Sequence, residues 1–154
     1  MKNFLKTTAI LFVVLCFGAC SNDIDDFKPK SLEVTPNNIS GYWMLTEYNG
    51  MEIPDGVLCY VEYVRKDRKF VMYQKFDSMY PRRITGVYSI EMNKYNKPIL
   101  SGKYDYGMGE WNNRYYVTEL LDNFMVLTAD SSSPDVCKYL RCNEIPEAVL
   151  EETK

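Results

Sequence analysis

The sequence predicts an all-β protein, an eight-stranded antiparallel up-and-down barrel followed by a short C-terminal helix or tail. Three observations predict it. Tyrosine occurs 13 times in 154 residues, and with Val, Ile, Phe and Thr it suits a pleated, half-buried surface. Runs of six to nine residues rich in these types recur along the chain. The connections between them are hairpin-length and hold turn residues. Eight sequential strands can close on themselves, which removes both exposed edges. A barrel of that size is wide enough for one small ligand.

The chain opens with an address. In residues 1–19, Lys2 and Lys6 precede an uncharged stretch from 7 to 19. That stretch is shorter than the ~20 residues a membrane helix needs and reads as a secretory signal peptide. Phe17-Gly18-Ala19-Cys20 resembles a bacterial lipobox, with Phe17 where Leu is usual. The resemblance implies cleavage before Cys20, a diacylglycerol on its thiol and a third acyl chain on its amine. Two or more buried chains give stable anchoring. An ordinary signal peptide ending near a chance cysteine is the alternative. Residues 20–38 then form the lipidated cysteine and a flexible acidic tether: Asp23, Asp25 and Asp26, then Lys28-Pro29-Lys30 and Pro36. An acidic run directly after the cysteine resembles the surface-export signal of some gut Gram-negative lipoproteins. The expected location is the outer membrane, on the cell surface or the periplasmic face.

The barrel occupies 39–142. Its first strand, 41–48, ends at Asn49-Gly50, a strong turn dipeptide. The second, 57–65, follows Pro54-Asp55-Gly56, and the third, 69–76, follows Lys66-Asp67-Arg68. The fourth, 83–91, follows Pro81, and the fifth, 98–106, follows Asn96-Lys97. The sixth, 113–121, follows a Gly-rich loop at 107–109. The seventh, 124–129, follows Asp122-Asn123, and the eighth, 136–142, follows a serine-rich turn. In the tail, 143–154, residues 145–152 are the one helix candidate, with Pro146 suited to a first turn.

Ile39-Ser40-Gly41-Tyr42-Trp43 resembles the G-x-W opening of lipocalins, and 122–128 with Tyr139-Leu140-Arg141 resembles the last two strands of bacterial lipocalin-like lipoproteins. The resemblance covers about 39–142. It implies that Gly41, Trp43 and Arg141 close the barrel floor, the arginine lying across the indole. A guanidinium over an indole face is favourable by ~0.5–2 kcal/mol.

Alternation predicts which side chains face inward. Trp43 and Leu45 share a face, as do Cys59, Val61 and Tyr63. So do Ile84, Gly86, Tyr88 and Ile90, and Leu100, Gly102, Tyr104 and Tyr106. Met125 pairs with Leu127, and Cys137 and Tyr139 side with Arg141. The candidate ligand contacts are Tyr63, Tyr88, Tyr104, Tyr106, Trp111, Tyr116 and Met125, each of which could equally be core packing. Trp111 falls in a loop beside Asp105 and Glu110, where an exposed indole could stack on a glycan or anchor a protein partner. It could also fold back over its own hairpin.

Composition narrows the chemistry. The chain has no His, which removes Ser–His and Cys–His nucleophile pairs and every imidazole-dependent zinc or iron site. With 18 Lys+Arg against 21 Asp+Glu, it lacks the basic surplus of a nucleic-acid binder. No phosphate loop or zinc spacing occurs, and no cofactor is implied. Asp105 and Glu110 are the carboxylates nearest the aromatic loop, and rim charges explain them. Asp77-Ser78-Met79 resembles a short O-glycosylation signal. Cys59, Cys137 and Cys142 remain after cleavage. Cys59 and Cys137 share the interior face and are the pair that could bridge; three inert thiols are the alternative. The expected function is non-catalytic. Either a small apolar or amphipathic ligand sits inside the barrel, or the barrel is filled and an aromatic loop engages a protein or glycan.

Overall fold

The computed structural model describes residues 29–153. The signal peptide, Cys20 and the first part of the tether lie outside the described residues. The elements in order are α1 (Pro36–Ile39), β1 (Gly41–Tyr48), β2 (Met51–Glu52), β3 (Leu58–Val64), β4 (Lys69–Lys75), β5 (Arg82–Met92), β6 (Pro98–Tyr104), β7 (Tyr115–Leu120), β8 (Phe124–Ala129), β9 (Val136–Cys142) and α2 (Glu147–Glu151). From β3 to β9 each strand pairs antiparallel with the next, and β9 pairs with β1, which pairs with β3. That closes an eight-stranded up-and-down barrel. The two-residue β2 is a ninth strand that the sequence reading did not count. It prolongs β1 through Asn49-Gly50, both at positive φ, the geometry of a two-residue hairpin turn whose twist matches the strands.

The register carries the side-chain alternation round the ring. Trp43 lies opposite Val61 on one side and Arg141 on the other. Tyr63 faces Phe70, Phe70 faces Gly86, and Tyr88 faces Gly102. Leu127 faces Cys137 and Met125 faces Tyr139. Of these, Trp43, Val61, Tyr63, Phe70, Tyr88, Met125, Leu127 and Cys137 belong to one continuous buried cluster inside the barrel, with Tyr139 packed against it. Register shifts after Leu45 and after Val117 move the inward set by one residue, so Leu120 takes the place that strict alternation would give Glu119.

One end of the barrel is sealed. Trp43 is fully buried, and its indole Nε1–H donates to the Ile39 carbonyl at 2.8 Å. The Arg141 guanidinium lies 4.1 Å from the Trp43 ring centroid. It donates to three backbone carbonyls, of Ser40 at 2.6 Å, Asn38 at 2.7 Å and Asp122 at 2.6 Å. Gly41 sits at φ +114°, and a Cβ there would come within 2.9 Å of Arg141 Nη1. Both the backbone angle and the close approach call for glycine.

The tether was expected to run without fixed structure to Asn38. Instead the chain is docked from Ser31 onward. Leu32 N–H donates to the Leu120 carbonyl at 2.7 Å, and Leu32 and Val34 pack on the core. Thr35 caps α1 by accepting from Asn38 N–H, and Pro36 suits the first turn. Sparse apolar residues in a charged stretch were enough, because the barrel floor offers them a surface to cover. At the other terminus Ile145 and Val149 pack on Tyr73, with Tyr42, Leu58, Tyr60 and Val71 around them. The tail helix therefore covers the outer wall of β1, β3 and β4.

Replacing Arg141 with Ala removes the stacked cation and leaves three carbonyls without that donor. At ~0.5–2 kcal/mol for the stack and ~1 kcal/mol or more for each of the three hydrogen bonds, the expected loss is about 4 kcal/mol. Urea unfolding followed by tryptophan fluorescence measures it, and a loss under about 1 kcal/mol would show that the guanidinium does not hold the floor.

Candidate functional site: the barrel mouth

The barrel is packed in one half and hollow in the other. Toward the floor, Trp43, Val61, Phe70, Leu100, Leu120 and Met125 are almost completely buried and fill the section. Toward the mouth, the inward positions hold Leu45, Cys59, Met72, Gln74, Tyr104, Tyr115, Cys137 and Tyr139. Two of these are cysteines, small side chains where the floor has large ones. The result is a cavity of about 570 Å³ that opens to solvent. Its rim is Tyr48, Met51, Ile53, Pro54, Val57 and Phe76, with Glu52 as the single charged residue in the lining.

An aromatic layer separates the two halves. Phe70 meets Tyr104 at 6.1 Å and Trp111 at 5.1 Å, and Trp111 meets Tyr115 at 6.3 Å, all edge to face. This is the favoured geometry for aromatic pairs. Gly102 makes it possible, since a Cβ at that position would fall inside the indole of Trp111.

Apart from Glu52 on the rim, the cavity lining is neutral. Burial pushes the Cys59 thiol up to about 12, with the nearby Cys137 adding to the effect and the Tyr139 hydroxyl opposing it. Burial likewise pushes Cys137 up to about 11. Tyr139 is raised well above the usual phenol range, and Tyr104 and Tyr115 are raised, all chiefly by burial. Thiols held protonated are poor nucleophiles. Cys59, Cys137 and Cys142 are all free, so the Cys59–Cys137 bridge weighed from the sequence is not formed. Among the described residues no group of His, Cys, Asp or Glu could hold a metal ion. The lining can accept an apolar body and offer phenol, thiol and amide groups to a polar end.

Of the seven residues singled out as ligand contacts, Tyr104 alone lines the cavity. Tyr63 and Tyr88 stack edge to face at 5.2 Å in the packed half, and Met125 is fully buried there. Tyr63 is level with Gly41, beside the floor, which is why it meets core rather than ligand. Tyr116 lies one residue out of phase with inward-facing Tyr115 and pairs with Ile99 and Thr128 on the outer wall. Tyr106, expected inside, lies beyond the end of β6 at φ 59° and is 95% exposed. Trp111, expected in an exposed loop, is folded back over Gly102 into the aromatic layer. Asp105 accepts a hydrogen bond from Thr85 at 2.6 Å, and Glu110 bridges to Lys103 through the backbone.

The sequence reading missed Met72, Gln74 and Tyr115 as inward residues. It placed Leu45, Cys59, Cys137 and Tyr139 inward without assigning them to the cavity. The usable signal was depth: counting along each strand away from the Trp43–Arg141 pair separates floor from mouth.

No family model matches the chain, and no curated protein does. Among solved structures it is similar to Japanin from Rhipicephalus appendiculatus bound to cholesterol, at 16% identity over 77% of this chain and 88% of that one, with a TM-score of 0.45.

The raised thiols and phenols make the fold sensitive to alkali. Their folded values lie above the unfolded ones, so their contribution is complete below about pH 9, the ordinary thiol value, and is lost as pH rises toward about 11 and 12. The melting temperature is expected to fall steadily above pH 9 in circular dichroism, and less steeply in a Cys59→Ala/Cys137→Ala variant. A flat profile to pH 11 in the unaltered chain would contradict the buried, protonated thiols.

Proposed function

We propose that this chain is a non-catalytic, lipid-anchored outer-membrane lipoprotein whose lipocalin-like barrel holds a small apolar or amphipathic ligand in its mouth. The observation that carries the reading is the half-empty barrel. About 570 Å³ stands open above a fully packed floor, within the ~300–1,000 Å³ usual for small-molecule sites. Neutral side chains make up most of its lining, so a hydrocarbon body would enter at little desolvation cost. The phenols of Tyr104, Tyr115 and Tyr139 would orient the polar end.

The rival reading, a filled barrel that works through an exposed aromatic loop, accounts for the floor half only. Its intended anchor, Trp111, is tucked inward. The N-terminal segment supports a particular orientation. Ser31 and Leu32 are bonded to Leu120 at the sealed end, so a tether anchored at Cys20 would leave the mouth facing away from the anchoring membrane.

A fluorescent long-chain fatty acid titrated into the full chain should bind saturably at one site per chain. Met72→Trp, which places a large side chain in the cavity, should weaken it at least tenfold without lowering the melting temperature. Absence of saturable binding by fatty-acid, sterol and quinone probes alike would end the carrier reading. The anchor is tested separately. Cys20→Ser should abolish incorporation of labelled palmitate and release the protein from the membrane pellet; unchanged labelling would place the acyl chains elsewhere or remove the lipobox reading.

A further inference from the structure

The two ends of the barrel differ in charge. At the sealed end, the turn from β3 to β4 reads Arg65-Lys66-Asp67-Arg68-Lys69, and all of it is exposed. Asp67 pairs with Lys69 at 3.7 Å. The turn from β5 to β6 adds Lys94 and Lys97, also exposed. Among the described residues, Lys66, Arg68, Lys94 and Lys97 form no ion pair. The mouth carries the opposite sign. Its loops expose Glu52, Asp55, Asp77, Asp105, Glu110 and Asp130, which outnumber Lys75, Arg82, Arg83 and Arg114 beside them. A chain of net charge −3 therefore has a positive end.

The β5–β6 hairpin projects past the floor. β4 pairs with β5 as far as Lys69 opposite Val87, and β5 then runs on with β6 alone to Met92 opposite Pro98. The end of this hairpin exposes Met92 at 57% and Tyr95 at 70%, with Lys94 Nζ 4.9 Å from the Tyr95 ring. A tyrosine flanked by lysines suits the boundary between lipid headgroups and water. The ring sits at headgroup level, and each lysine stem lies on apolar surface while its ammonium reaches out to phosphate. The two basic turns are joined, because Tyr88 N–H donates to the Arg68 carbonyl at 2.7 Å. Arg65 donates to the Asn37 side chain at 2.8 Å, and Leu32 N–H to the Leu120 carbonyl. The chain that precedes Pro29 thus joins the barrel at this same end.

We propose that the sealed end docks on an anionic phospholipid bilayer, with Tyr95 and Met92 among the headgroups and the two basic turns against the phosphates. Clustered cations are drawn to an anionic leaflet once they come within about a Debye length of it. The same field repels the carboxylates of the opposite end, so the surface also orients the barrel, mouth outward. The mouth exposes apolar side chains too, Met79 and Tyr80 among them, but in a net acidic setting that an anionic surface disfavours. An anchor on Cys20, as proposed above, would bring the sealed end to the bilayer; the cations and Tyr95 point to it independently of that anchor.

The test is quenching by brominated lipid, with the full chain reconstituted in phosphatidylcholine vesicles with or without phosphatidylglycerol. Tyr95→Trp reports on the sealed end and Tyr80→Trp on the mouth, each read against the parent chain, whose Trp43 and Trp111 lie inside the barrel. Quenching of Tyr95→Trp should be at least about threefold greater with phosphatidylglycerol than without it and should fall in 1 M salt, where screening is nearly complete. Tyr80→Trp should not be quenched in either vesicle. Adding Lys94→Glu and Lys97→Glu to Tyr95→Trp should return quenching to the level in phosphatidylcholine alone, with the melting temperature unchanged. The readout is which end meets lipid, so it is distinct from palmitate labelling at Cys20 and from fatty-acid binding in the mouth. The proposal is overturned if Tyr95→Trp is quenched no more in the anionic vesicles, if Tyr80→Trp is quenched instead, or if the charge reversal leaves quenching unchanged.

Discussion

The stack of Arg141 on Trp43 is the contact on which the rest of the barrel depends. The two residues sit directly opposite each other on the last and first strands, so the stack marks the seam where the sheet closes on itself. The guanidinium also gathers carbonyls from the chain entering β1 and from the turn before β8. Arginine suits this place better than lysine, because its planar fork presents several donors in fixed directions while its face lies flat on a ring. With the floor settled, every inward position acquires a depth, and depth decides whether a side chain packs or lines space.

That distinction explains the division of the interior. Near the floor, the ring is narrowed by large residues that interdigitate, Tyr63 against Tyr88 and Phe70 beneath the indole of Trp111. Near the mouth, two cysteines stand where bulk would be needed to fill the section. Buried, protonated and unbridged, they leave room without adding charge. The glycines work in the opposite sense. Gly86 and Gly102 give up side chains so that Phe70 and Trp111 can lie across the barrel. The layer built there is both the ceiling of the packed core and the base of the cavity.

The Trp111 indole, its N–H included, lies over the inner face of Gly102 within the aromatic layer. The loop that delivers it replaces the missing part of the β6–β7 ladder with two backbone hydrogen bonds to β6, on either side of the Lys103–Glu110 bridge. The short β6–β7 ladder is thus backed from inside by the indole that this loop delivers.

The sequence by itself determined the strand order, the turns between strands and the face on which most inward residues lie. Each of these is a local property: strand propensity, turn chemistry, and a period of two that no partner needs to supply. Cys59, Val61 and Tyr63 could be placed inward together because they alternate, and Trp43 with Arg141 could be matched by motif. Tertiary structure decided what local pattern cannot encode. It decided how deep each inward residue sits, which turned Tyr63, Tyr88 and Met125 into core and left Tyr104 with the cavity. It decided that 31–38 dock, because a linker's few apolar residues bind only a surface that already exists. And it decided where Trp111 goes, because a loop side chain is placed by the space a distant glycine leaves open.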